Sequence, residues 1–240
     1  ATATDNCAVQ GVPTGVRSDG LALTDPYPVG VTTIMWNVSD VNGNPAIVAT
    51  QTVTVVDNEI PTFAVCPGNI TRNNDPGVCG ANVTFLIIAN DNCGPTTVSQ
   101  SHPSGFLFPI GTTTVTATAT DGAGLTATCT FTVTVTDNEL PVITTSGPIN
   151  VNTDVDVCGA TIAVPAATAT DNCPGMSAPT GVRSDGLLLT DLYPVGITTI
   201  TWTVTDINGN AAVAVTQTVT VTDNQVPVIT TSGPINVNNT

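Results

Sequence analysis

The chain has no lysine, three arginines and one histidine in 240 residues, against 18 acidic residues, for a formal net charge of -15. So few cations argue against a nucleic-acid partner, because phosphate binding draws on Lys and Arg. They argue equally against an anionic membrane surface. No apolar run approaches the roughly 18–20 residues of a membrane span, so membrane insertion is not expected. No segment combines helical apolar spacing with caps. No glycine motif follows a strand and opens a helix, so nucleotide binding has no support. The lone His102, in "SHPSG", has no neighbouring nucleophile, and there is no lysine to act as a base, so the chain is not expected to be an enzyme. The cysteines lack CxxC and Cys/His spacing, which leaves no zinc site.

What is abundant is Thr and Val, with 21 Gly and 18 Pro. β-Branched residues favour pleated strands over helix. The same punctuation also returns at intervals. "DNC" stands at 5–7, 91–93 and 171–173; "DN(E/Q)xP" at 57–61, 137–141 and 223–227; "PxGxTT" at 28–33, 109–114 and 194–199. Repetition at this scale is the mark of an array. Residues 13–44 and 179–210 are near duplicates, whereas the middle copy has diverged. Residue 1 aligns with residue 167, and 226–240 with 140–154. The chain therefore reads as a window on a longer array, which would account for the lack of a visible signal peptide. The expected divisions are 1–58, a repeat without its first strands; 59–138 and 139–224, complete repeats; and 225–240, the first strand of another.

Within the middle copy, "FAVCPGNITR" reads as a first strand, "GANVTFLIIAND" as a largely buried second strand and "TTVSQSH" as a middle strand. "TTTVTATATD" and "LTATCTFTVTVTD" form a final alternating pair, with Thr outward and Val, Ala or Phe inward. Some seven short strands in about 80 residues predict an all-β fold of tandem immunoglobulin-like β-sandwiches arranged end to end. Trp36 and Trp202 hold equivalent places and are expected in the cores. The middle repeat has Ala117 there, with Phe85 and Phe131 as replacements.

"DNEIP", "CPGNIT", "ANDNC", "FPIGTTTVTATATDGAG" and "TCTFTVTVTD" occur in the order and spacing of a hyalin repeat. The middle copy resembles the HYR family throughout. The outer copies are similar, with a longer middle region and without the "CP" and "TC" cysteines. The resemblance implies an extracellular Ig-like module, used in tandem for adhesion or as a spacer. Long arrays of this kind look like the stalks of bacterial surface adhesins and filaments.

Seven cysteines in such a chain suggest an oxidising compartment. Cys66 and Cys129 are absent together from the outer copies and read as one pair. For the others two pairings compete. Within a repeat, Cys79 would join Cys93 and Cys158 would join Cys173, leaving Cys7 over. An extended strand of that length, however, would hold each pair about 45 Å apart, far beyond the roughly 5.5 Å that a disulfide allows. The alternative is a staple between repeats, Cys79 with Cys173.

In a head-to-tail stack, the acidic end of one repeat would meet two loops of the next. At one junction this gathers Asp57, Asn58, Glu59, Asp91, Asn92 and Asp121. At the other it gathers Asp137, Asn138, Glu139, Asp171, Asn172, Asp206, Asn208 and Asn210. Hard oxygen donors in such numbers suit Ca²⁺, and the layout resembles the calcium-bound linkers of cadherins. The first site looks the poorer because its "TDGAGL" loop has no Asn. A third run, at 223–225, carries Gln225 in place of Glu. The competing explanation is plain turn chemistry of Asp and Asn.

Two functional readings follow. One is a stiff extracellular stalk or filament, whose partners are the neighbouring repeats of the same long chain. The other is an adhesin binding cell-surface or glycan ligands through 15–30 and 181–196, which carry Arg17 and Arg183. A third, weaker reading is a fibre subunit assembling by strand donation through 226–240. Sequons at 37–39, 69–71, 82–84 and 238–240 fit an extracellular chain.

Overall fold

The computed structural model describes residues 1–231 and 233–237. Among them every regular element is a strand. The first repeat supplies β1 (Thr14–Arg17), β2 (Gly30–Asn37) and β3 (Ala49–Val55). The middle one supplies β4 (Thr62–Val65), β5 (Ile70–Asn73), β6 (Gly80–Val83), β7 (Ile88–Asn90), β8 (Thr97–Gln100), β9 (Phe106–Pro109), β10 (Gly111–Thr120) and β11 (Thr126–Thr136). The last supplies β12 (Val142–Thr144), β13 (Ile149–Asn152), β14 (Gly159–Ala160), β15 (Thr168–Thr170), β16 (Thr180–Arg183), β17 (Tyr193–Pro194), β18 (Gly196–Thr203) and β19 (Val215–Thr222).

The chain divides into two compact units that do not follow the repeat boundaries. One holds Ala1–Gly68, Phe85–Ser104 and Thr114–Phe131; the other holds Asn69–Thr84, Gly105–Thr113 and Thr132–Thr240. In the first unit β1, β2 and β3 form an antiparallel sheet, with Gly15 opposite Trp36 and Ile34 opposite Gln51. β4 pairs with β7, and β8 with the end of β10. The alternation of Thr with small apolar residues places Val115, Ala117 and Ala119 inward. The rings of Phe85 and Phe131 meet edge to face at 5.0 Å.

In the second unit β5 runs parallel to the end of β11, and β6 pairs with β9. The last repeat has the sheet order β13-β19-β18-β16. Its core gathers Ile143, Ala160, Tyr193, Ile200, Trp202 and Val219. The Trp202 indole N–H donates to Gln217 Oε1 at 3.0 Å. Gln217 Nε2 in turn donates to Ser146 Oγ and the Gly147 carbonyl, so the buried amide is satisfied. Gly181 faces the ring: a Cβ there would lie 2.9 Å from Trp202 Cζ3.

Four expectations need correction. The second strand of the middle repeat is two strands, β6 and β7, that pair with different partners, and Leu86 and Ile88 between and within them are 62% and 39% exposed. A straight run cannot serve two sheets, so the chain leaves the ladder at 84–87. The first strand likewise breaks into β4 and β5 around Pro67, which has no N–H to give a ladder. Trp36 keeps its bond to Gln51 but is only half-buried, unlike Trp202. Beyond Asn224 no described residue lies in a strand, although 142–144 and 149–152, the equivalents, do. Those earlier segments pair with β15 and β19. Residues 232 and 238–240, the latter a sequon, lie outside the described residues.

Candidate cation and disulfide site

In the second unit Asp137, at the end of β11, is met by three amides. Asn172 Nδ2 donates to its Oδ1 at 3.3 Å, Asn208 Nδ2 to its Oδ2 at 2.7 Å and Asn210 Nδ2 to its carbonyl at 3.3 Å. Asn172 also donates to the Val78 carbonyl at 3.2 Å, and the adjoining residues are covalently joined: Cys79 bonds to Cys173. Asp206 is engaged within its own turn, accepting from the backbone of Asn208 and Asn210 and from Asn210 Nδ2. Glu139 turns toward Asn74 Nδ2 and the Gly77 N–H. Asn138 is exposed, and its N–H donates to Asn74 Oδ1.

One oxygen of Asp137, one of Asp171 and the sulfur of Cys173 lie within 4.8 Å of one another. The sulfur is not a ligand, because it is in the disulfide. Asp171 Oδ1 and Asn172 Oδ1 are buried without a hydrogen-bond partner. Orphaned buried acceptors are costly, and these two are hard oxygens, the donor type that a divalent cation of the Ca²⁺ class takes. The donor chemistry fits.

The first unit has a parallel group in Asp57, Asp91 and Cys93. Asn92 Nδ2 donates to Glu59 Oε2 at 2.9 Å, and Asn58 is exposed. Here the orphaned buried oxygens are both carboxylate: Asp91 Oδ1 and Asp121 Oδ2. Asn210 Nδ2 satisfies Asp206 Oδ2, and among the described residues no hydrogen bond does so for Asp121 Oδ2, which lies outside the Asp57, Asp91 and Cys93 group. Cys93 is a free, exposed thiol; burial and then the Asp57 and Asp91 charges push its pKa up. Turn chemistry is present alongside. Asp5, Asp91 and Asp171 each accept from the N–H two residues on, as do Asp57, Asp137 and Asp223.

Cys66 bonds to Cys129, and Cys7, Cys93 and Cys158 are free. The alternative pairing, Cys79 with Cys93 and Cys158 with Cys173, is not formed: Cys79 and Cys173 hold each other, and β6 and β7 run extended across the 79–93 segment.

Arg17 and Arg183, read from sequence as a binding face, are 2% exposed. Arg183 forks onto Asp185, donates to the carbonyls of Leu188, Asp191 and Leu192, and lies 3.8 Å over the Tyr193 ring. Arg17 does the same with Asp19, Ala22, Asp25, Pro26 and Tyr27. The 16-residue segments wind around their own guanidinium, which is not available to a ligand. The Asp two residues after each Arg was the signal for this.

Several carboxyls sit below the ordinary range. The Arg17 and Arg183 guanidiniums hold down Asp19 and Asp185, the Asn44 amide holds down Asp40 and the Asn82 N–H holds down Asp75. For Asp206 burial pushes upward, but the amide and N–H of Asn210 and the N–H groups of Asn208 and Gly209 outweigh it. Depressed folded values mean that the unfolded chain binds more protons in acid, so stability rises with pH there. The thermal midpoint is expected to be flat above about pH 5 and to fall as pH drops below about 4. A midpoint unchanged down to about pH 2 would contradict this.

Residues 56–135 match the family model described as HYR domain. Hyalin of Lytechinus variegatus is 37% identical over 247 residues, covering 100% of this chain and 44% of that protein. Hyalin of Strongylocentrotus purpuratus is 32% identical over 205 residues, covering 82% of this chain and 17% of that one. The chain spans less than half the length of the curated relatives it matches. Similar solved structures include human protocadherin-24 EC1-2, at 18% identity and a TM-score of 0.34, covering 69% of this chain and 100% of that one. Drosophila N-cadherin EC1-4 stands at 13% and 0.37, covering 82% and 58%.

Proposed function

We propose that this chain, which carries an HYR domain at 56–135 and is similar to hyalin along its length, is part of an extracellular adhesion-type structural protein. In this reading its repeats form a stiff stalk or filament, with junctions held by disulfides and Ca²⁺. One observation carries it: the acidic end of the middle repeat, at Asp137, is bonded by Asn172, Asn208 and Asn210 of the next and stapled by Cys79–Cys173. A free domain pair would leave these groups to water.

Bound Ca²⁺ would supply charge neutralisation and oxygen coordination. Asp57, Asp91 and Asp121 would hold it in the first unit, and Asp137, Asp171 and the Asn172 side-chain oxygen in the second. At −15 the chain gains from any cation that offsets carboxylate repulsion. The first set is all carboxylate, whereas the second includes an amide oxygen, so by ligand charge the first would bind more tightly.

The test is thermal unfolding and small-angle scattering of the full chain, in Ca²⁺ and in chelator. Ca²⁺ at about 100 times Kd should add about 2.7 kcal/mol and lengthen the particle. Asp91→Asn should remove most of the calcium effect, and Asp171→Asn less of it. Equal midpoints and profiles in both solutions would reduce the acidic runs to turn chemistry and leave stiffness to the disulfides alone.

A further inference from the structure

The loop that bears Cys79 occurs again, with its thiol free. In the middle repeat Asp75 N–H donates to the Gly80 carbonyl, Val78 N–H to the Asp75 carbonyl, and Asp75 Oδ2 accepts from the Asn82 N–H. In the last repeat Asp154, Gly159, Val157 and Thr161 make the same three bonds. Gly77 and Asp156 occupy the same left-handed turn position, at φ 71° and 62°, a conformation that a non-glycine residue adopts only when its surroundings hold it there. The end of β19 backs this loop through Gln225, as Glu139 backs the earlier one: Gln225 bonds the Asp154 carbonyl and the Asp156 N–H. Val157, Cys158 and Asp223 thus repeat Val78, Cys79 and Asp137, and Cys158 is exposed and free.

The surface that mates with Val78, Cys79 and Asp137 also occurs again. It consists of the "DNC" loop and the "DxNGN" loop of the last repeat. The first repeat carries both. Cys7 N–H donates to Asp5 Oδ2 at 2.9 Å, as Cys173 N–H does to Asp171. Asp40 accepts from the Asn42 and Asn44 N–H groups and from Asn44 Nδ2, at 2.8, 2.8 and 2.7 Å. Asp206 accepts from Asn208 and Asn210 at 2.8, 2.7 and 2.8 Å. Cys7 is exposed and free. Asn6, Asn42 and Asn44 correspond to the three amides that bond Asp137 and Val78.

We propose that Cys158, with the Val157 carbonyl and Asp223, is a socket for the paired Asp-Asn-Cys and Asn-Gly-Asn loops of another such module, closed by a disulfide; a second copy of this chain presents that module through Cys7. The inference rests on the reading of Asp137 and Cys79–Cys173 as a mating surface. The contact is heterologous, so it can repeat head to tail, and a rotation that does not close a ring extends it into a filament. Two thiols lose two protons and two electrons, and glutathione disulfide accepts them to give two glutathione thiols. Cys93 is the poorer partner. Its repeat has "TDGAGL", without the amides that bond Asp137 in the mated pair.

Two full-length variants, Cys7→Ser and Cys158→Ser, test this in a glutathione redox buffer on non-reducing gels with peptide mapping. Neither changes a disulfide-bonded residue. The expected result is that each variant alone stays monomeric, and that the mixture gives one covalent dimer, linked Cys7–Cys158. Adding Asn6→Ala, Asn42→Ala and Asn44→Ala to the Cys7-bearing chain should lose that dimer. No dimer in the mixture, a link through Cys93, or dimers of either variant alone would overturn the proposal. The same peptide map reads Cys79–Cys173. Its presence without Cys7–Cys158 defeats only this inference, and its absence defeats the junction reading beneath it.

Discussion

Arg183→Met is expected to destabilise the last repeat by about 2–4 kcal/mol, because its buried guanidinium donates to inward-facing carbonyls and a buried acceptor left without a donor costs about 1–3 kcal/mol. The guanidinium donates to three carbonyls that the winding segment turns inward, those of Leu188, Asp191 and Leu192, the first of which also accepts from the Asp191 N–H. Methionine fills the volume over Tyr193 but donates nothing, so the Asp191 and Leu192 carbonyls lose this donor, Leu188 keeps only the Asp191 N–H, and Asp185 loses its counter-charge. Arg183→Lys should recover little, because a point charge cannot replace a planar fork that bonds on two edges. For a repeat of this size the midpoint should fall by roughly 10–20 °C. Arg72→Met is the comparator. Arg72 is exposed and bonds only the Asn82 carbonyl, at 3.1 Å, so its loss should stay within about 1 kcal/mol. Calorimetry that ranked the two substitutions alike would show that the segment is not organised on the guanidinium.

The second large effect belongs to the staple. Replacing Cys79 and Cys173 together by serine opens a loop of 94 residues in sequence separation. Chain entropy assigns such a closure about 4–5 kcal/mol, and native disulfides commonly deliver about 2–5. The double substitution leaves no new free thiol to mispair. It should lower the midpoint and weaken the Asn172 and Asn208 contacts to Asp137, which the bond holds together. Heteronuclear NMR would show this as loss of the slow amide exchange at Asn74 and Asn138, whose hydrogen bonds lie beside the staple. Unchanged exchange and an unchanged midpoint would mean that the repeats hold each other without it.

Much of the molecule is legible in the sequence because it is local. Thr-Val alternation over 111–120 and 126–136 prescribes a pleated strand with one inward face, and the inward residues are the expected Val115, Ala117, Phe131 and Val133. The period of the "DNC" and "DN(E/Q)" motifs divides the chain, and an Asp two residues before an N–H makes the turn that each motif makes. The residue types also suffice to pick the acidic groups at the repeat ends.

Other features depended on which distant groups arrive together, and local pattern carries no such information. "GANVTFLIIAND" reads as one buried strand; packing divides it because β4 and β9 need different halves of it. Trp202 is buried in a core with Ile143 and Ala160, some 40–60 positions earlier in the chain, a cover that its local sequence does not announce. Charge alone offers Arg17 and Arg183 to a ligand; the fold turns the surrounding carbonyls onto them. Cysteine spacing admitted two pairings, and three-dimensional proximity selected Cys79–Cys173. The sequence by itself determined strand, turn and period, which are set by backbone preference over a few residues. Only the tertiary structure decided burial, covalent pairing and the carboxylate oxygens left without a partner, because each is a property of the space between segments far apart in the chain.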